Sequence, residues 1–209
     1  MRNSIDVNSW FSPWTRQTLL WVLAVFIVGF LILQWPFVWF FDTILTDIGF
    51  LYVYFWALPQ AVMLYFVAFR FRVRWISTVI LGLTGVIGAP IDYYFEWVVQ
   101  QNLISPIFAF MYVPLYIITG LSADISLMML HPTHRPLRAS LISSFILTAV
   151  MLCTTAFASF FFYPTHGYPT TLDIPWLNVG SYLIPYSLAT GTTGGYLGFS
   201  VAKDISTHK

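Results

Sequence analysis

Asp92 and Glu96 stand four residues apart in the stretch Ile91-Asp-Tyr-Tyr-Phe-Glu-Trp97. That spacing puts two side chains on one face of a helix, and Tyr93, Tyr94 and Trp97 surround the pair. Carboxylates set among aromatic faces suit a flat or cationic heteroaromatic molecule, held by charge and by stacking and cation–π contact. At 1.5 Å per residue, Asp92 lies about 24 Å along a helix that starts near Ile76. In a membrane-spanning helix that is the outer third of the bilayer, where an ionisable group is a functional candidate by default. The plain alternative is that both carboxylates sit solvated at headgroup level.

Further aromatic residues gather toward the same end of the chain's apolar runs, among them Trp56, Trp176 and Tyr182. Singly, each suits an interfacial belt; together with the carboxylates they suggest a substrate pocket. Asp124 lies near the opposite end, too far to share a compact site, and is expected to pair with a neighbouring arginine or to meet a partner subunit. Arg72 and Arg138 belong to the basic segments expected to face partners. Two stripes of small residues, Gly82-Gly85-Gly88 and Ser187-Gly191-Gly195-Gly198-Ala202, permit close helix contact within the chain or with a partner. Gly191 and Gly198 are the partner candidates there. His131 and His134 are three apart but separated by Pro132, with no third ligand nearby, so they make only a weak metal site. No nucleotide-binding glycine loop, nucleophile motif or HExxH pattern occurs, and no cofactor is expected.

The elements that position these residues follow from composition. The chain has 209 residues, of which 58% are hydrophobic and 8% charged. Soluble domains carry roughly 25% charged residues, so a soluble enzyme is excluded. A net charge of +1 excludes a nucleic-acid binder, and high hydrophobicity excludes disorder. The single Cys153 forms no internal disulfide.

Six apolar runs are long enough to cross a bilayer at about 20 residues each: residues 18–41, 49–69, 76–98, 105–130, 139–162 and 177–202. They are continuous rather than alternating, which favours helices over a membrane barrel. The first run exceeds a signal peptide's apolar stretch and is expected to be retained, with Trp10, Phe11, Trp14 and Arg16 as an interfacial anchor before it. All nine Lys and Arg residues (Arg2, Arg16, Arg70, Arg72, Arg74, Arg135, Arg138, Lys203 and Lys209) fall on one side of a six-helix arrangement. The positive-inside rule then places both termini in the cytoplasm. The expected fold is an all-α, single-domain integral membrane bundle with N-in/C-in topology in a cell membrane. The proline-rich loop 163–176 is an outer lid over a pocket between the ends of helices three and six.

The pattern resembles the substrate-binding S-components of energy-coupling-factor vitamin importers, nearest the YkoE-like branch associated with thiamine or its hydroxymethylpyrimidine precursor. The likeness is carried by Tyr54-Phe55-Trp56-Ala57-Leu58-Pro59, the acidic end Asp92 to Trp97, Gly120-Leu121-Ser122-Ala123-Asp124, and the closing Gly194-Gly195-Tyr196-Leu197-Gly198. It departs in helix one, where such components show Ala-x-x-x-Ala toward their coupling subunit and this chain has Ala24 followed by Val28 and Gly29. The resemblance implies a non-catalytic binding subunit that works with a transmembrane coupling subunit and cytoplasmic ATPases. The alternative is an accessory subunit of a larger membrane enzyme, with aromatics and glycines serving contacts to other membrane subunits and lipid.

Overall fold

The computed structural model describes residues 10–34, 52–94, 106–130, 132–162 and 176–207. All the regular elements among these are helical. We number the helices α1 (Arg16–Gln34), α2 (Tyr52–Phe71), α3 (Ile76–Tyr94), α4 (Pro106–Met129), α5 (Pro136–Phe162) and α6 (Trp176–Thr207). Each overlays one of the six apolar runs.

Local chemistry fixes several helix ends. Thr15 caps α1, its hydroxyl accepting from the Thr18 amide at 3.1 Å. Pro106 and Pro136 occupy the first positions of α4 and α5, where a missing N–H costs nothing. From Ile27 to Gln34, α1 widens to π-helical winding. Between α2 and α3 the chain turns in four residues, with Arg72 (φ 54°) and Trp75 (φ 63°) both left-handed. Non-glycine residues hold that conformation only where surrounding structure enforces it. Here Ser12 donates its amide to the Arg72 carbonyl at 2.8 Å, bridging the segment before α1 to this turn.

Packing runs in the order α3–α4–α5–α6–α2, with α1 against the outside of α2 and α3. Consecutive helices in that series are antiparallel except α6 and α2, whose contact is the most extensive and runs parallel: Phe55 meets Tyr186, and Phe69 meets Phe199. Glycines set this approach. A methyl group at Gly194 would lie 2.6 Å from the Leu58 carbonyl oxygen, and one at Gly198 would lie 2.5 Å from that of Val62. On the other face of α6, Gly191 abuts Thr148 and Gly195 abuts Ser144 of α5. Gly191 and Gly198, expected at a partner surface, are therefore buried between helices of the same chain.

Alongside an apolar core, hydroxyl side chains are buried between helices and large apolar side chains face outward. Ser140, Ser143, Ser144, Thr148 and Ser187 are fully buried, whereas Leu20 is 59% exposed, Ile32 58% and Met129 73%. The buried hydroxyls join helices: Tyr65 meets Ser143 at 2.6 Å, Ser143 meets Ser126 at 2.6 Å, and Ser140 donates to the Gly195 carbonyl at 2.6 Å. Among the described residues, three segments, Arg16–Gln34, Phe110–Met129 and Pro136–Phe157, are long and apolar enough to cross a membrane, and Phe55–Phe71 and Ile76–Ile91 are shorter apolar helices. α6 meets neither description, because glycines and Thr190, Thr192 and Thr193 lower its hydropathy. Its small residues face α2 and α5 instead. Trp10, expected as an interfacial anchor, is buried against Phe11 and Phe69, while Trp14 is exposed.

Candidate functional site

Asp92 and Tyr93 lie in the last turn of α3, and Trp176 and Tyr182 in the first turns of α6. The side chains of these four, the residues Glu96 and Trp97, the loop 163–175 and His131 lie outside the described residues. Of the seven substrate-site candidates, only Trp56 has a described side chain. It is buried and lines a cavity of about 40 Å³ between α2, α4 and α5. The described parts of α3 pack on α4, whereas α6 packs on α2 and α5. The pocket expected between the ends of helices three and six involves side chains outside the described residues.

Each wall of the cavity has a different chemistry. Trp56 and Gln60 come from α2, one turn apart. Tyr112, Tyr116 and Thr119 come from α4, and Thr154 and Thr155 from α5. Tyr116 is also tied to α1, because Gln34 donates its side-chain amide to the Tyr116 hydroxyl at 2.9 Å. Thr119 donates to the Leu115 carbonyl at 2.8 Å and reaches Thr154 across the cavity at 3.5 Å. The result is a small space with aromatic faces, a carboxamide and hydroxyls. Such a set offers stacking surface and neutral hydrogen-bonding groups at once. A drug-sized ligand needs roughly 300–1,000 Å³, so the present cavity has room for little more than one water molecule.

Proline makes this level of the bundle deformable. Pro59, Pro90, Pro114 and Pro185 interrupt α2, α3, α4 and α6. Counted from the helix ends near the basic residues, Pro59, Pro90 and Pro114 lie about 18–23 Å along and Pro185 about 33 Å. Each removes a backbone hydrogen bond and favours a bend. Two of the three walls, α2 and α4, therefore have a joint near the height of the cavity. Gln60, Tyr112 and the two α5 threonines were missed from the sequence, although a glutamine inside an apolar run was a readable signal.

Asp124 sits at the other end, 5% exposed. Its Oδ1 accepts from the Ser77 amide at 3.2 Å, and its Oδ2 accepts from the Thr78 amide at 2.8 Å and the Thr78 hydroxyl at 2.7 Å. The carboxylate is the cap of α3, whose own N-terminal neighbour, Trp75, has no side-chain oxygen to offer. Among the described residues its partners are thus helix-end donors and not the expected arginine, and its burial leaves no surface for a partner subunit. Arg72 and Arg138 are exposed, as a partner-facing role requires, and His134 is exposed as well. Among the described residues no group of three His, Cys, Asp or Glu side chains is placed to hold a metal. Comparison of the chain with family models, curated proteins and solved structures yields no match.

Proposed function

We propose that this chain is a membrane-embedded substrate-binding subunit of a multi-subunit importer. It takes up a small heteroaromatic or cationic nutrient such as thiamine or its pyrimidine precursor. The observation that carries the reading is the aromatic, amide- and hydroxyl-lined cavity between α2, α4 and α5, with a proline in each of its α2 and α4 walls. Ligand entry widens it by bending the helices at these prolines, and Asp92 or Glu96 supplies the charge for a cationic group. Tyr93, Trp97, Trp176 and Tyr182 complete the aromatic wall, under the lid formed by 163–176. The coupling subunit and ATPases meet the basic end, around Arg72 and Arg138.

The accompanying topology is six spans with both termini cytoplasmic. Its support is the parallel packing of α2 and α6, which requires an odd number of passes between them, as α3, α4 and α5 provide. Cysteine-accessibility labelling in a Cys153→Ser background measures it. Cysteines introduced at Ser206 and Thr133 react only from the cytoplasmic side, and labelling of either from outside contradicts the arrangement.

The small volume of the cavity favours a second reading, an accessory subunit in which these residues only pack. Native mass spectrometry of the gently solubilised chain separates the two. A co-purifying heteroaromatic small molecule supports the binding subunit; companion membrane subunits with no small molecule support the accessory one.

A further inference from the structure

Gln60 is 5% exposed, and neither its carbonyl nor its amide has a hydrogen-bond partner among the described residues. Trp56, four residues earlier, shares its helix face, and both line the cavity between α2, α4 and α5. The facing walls are short of donors. A threonine hydroxyl carries one proton. Thr119 of α4 gives its proton to the Leu115 carbonyl at 2.8 Å, and Thr154 of α5 gives its own to the Met151 carbonyl at 2.9 Å. The two hydroxyl oxygens stand 3.5 Å apart, each with acceptor lone pairs and neither with a proton left for the other.

A carboxamide buried without a partner is costly, most of all inside a membrane bundle where bulk solvent does not reach it. What answers both sides of this cavity is a molecule that gives two protons and also accepts. Size narrows the choice. A site holding one water needs about 10–15 Å³ and two to four polar partners, and the cavity has about 40 Å³. No charged side chain lines it, so an ion of similar size loses its hydration there with no counter-charge to replace it. We propose that the cavity binds a structural water molecule, which donates to the Thr119 and Thr154 oxygens and accepts from the Gln60 amide. The water thereby links α2 to α4 and α5 at a level where Gln60 makes no direct bond to either. The inference goes beyond the nutrient reading and does not rest on it.

The test is hydroxyl-radical footprinting of the full chain in nanodiscs, with radicals generated from water by an X-ray pulse, readout by mass spectrometry and no nutrient added. Radicals formed from a bound water oxidise the side chains that it touches, and each rate is taken relative to the same residue in the unfolded chain. Trp56 and Met151, buried but lining the cavity, are oxidised, whereas Tyr65, buried and lining no part of it, is protected. That comparison requires no variant to fold. Gln60→Leu removes the carboxamide and brings Trp56 and Met151 down to the level of Tyr65. Thr119→Val combined with Thr154→Val removes the acceptors and does the same, so either variant decides if the other fails to fold. Protection of Trp56 and Met151 in the wild-type chain equal to that of Tyr65 overturns the proposal, because the cavity is then dry or filled by an acyl chain. Oxidation unchanged in the variants also overturns it, because the cavity is then open to bulk solvent instead of holding a water on these groups. Failure of thiamine to bind the same preparation bears on the nutrient reading alone.

Discussion

Asp124→Ala is expected to lower the stability of the bundle by about 3 kcal/mol or more, among the largest effects of any single substitution here. Removing the carboxylate leaves the Ser77 and Thr78 amides and the Thr78 hydroxyl facing a void in a buried position. A buried donor without a partner costs about 1–3 kcal/mol. The Thr78 hydroxyl can rotate to a new acceptor, but the two amides cannot. Opposing terms are smaller: alanine gains up to about 0.7 kcal/mol in helix propensity, and the desolvation cost of a carboxylate disappears. The donors decide the sign, because they stay buried when their acceptor is gone. Asp124→Asn keeps one acceptor oxygen and should lose about half as much. Thermal unfolding of the full chain in detergent reads this out as a fall in midpoint on the order of 6–12 °C for alanine. A midpoint unchanged in Asp124→Ala would mean that α3 begins without this cap.

The second large effect concerns α6. Gly198→Leu is expected to separate α2 from α6, because the first atom of any side chain lies 2.5 Å from the Val62 carbonyl oxygen and 2.8 Å from the Phe66 amide nitrogen. Both are backbone atoms, so relief requires moving a helix and not a rotamer. Overpacking of this kind costs about 1–3 kcal/mol, and a leucine must also displace Tyr65, whose Cβ is 3.1 Å from the same point. For Gly198→Ala the helix-propensity gain of about 1 kcal/mol offsets part of the cost, leaving a smaller net loss. Gly82→Ala is the control. Its added methyl lies 3.6 Å from Ile117, an ordinary contact, so the same propensity gain appears as neutrality or slight stabilisation. Equal midpoints for Gly82→Ala and Gly198→Leu would remove the close α2–α6 contact from the account.

These two residues also show what could be read before the structure and what could not. Helix positions followed from apolar runs, and ends shifted where local chemistry intervened: α5 begins at Pro136 and not at 139, because proline is favoured in a first turn. α6 continues to Thr207 through Lys203 and Asp204, past the end of its apolar run. The spacing of Gly191 and Gly198 was visible, but spacing does not say whether the neighbouring helix belongs to the same chain. The sequence points Asp124 to an arginine or a partner subunit, yet its partners are backbone donors 46 and 47 residues away; a cap borrowed from another helix leaves no local pattern. The cavity was legible only through Trp56. Gln60 and the threonines were hidden among polar residues that elsewhere in this chain merely join helices, as Ser143 and Ser140 do.

The central proposal is that this chain binds a small heteroaromatic cation, with Trp56 stacking on it and Asp92 or Glu96 supplying the charge. Calorimetric titration of thiamine into the purified full chain in detergent tests it most directly. Saturable binding to the wild-type chain is expected. Asp92→Asn or Glu96→Gln, by removing a charge-assisted hydrogen bond of about 1.5–3 kcal/mol, should weaken it roughly 10- to 150-fold. Trp56→Ala and Trp97→Ala should weaken it through lost stacking, with the thermal midpoint of the Asp92 and Glu96 variants retained. Absence of saturable heat with the wild-type chain, or equal affinity in all four variants, would contradict the account and leave the accessory-subunit reading in its place.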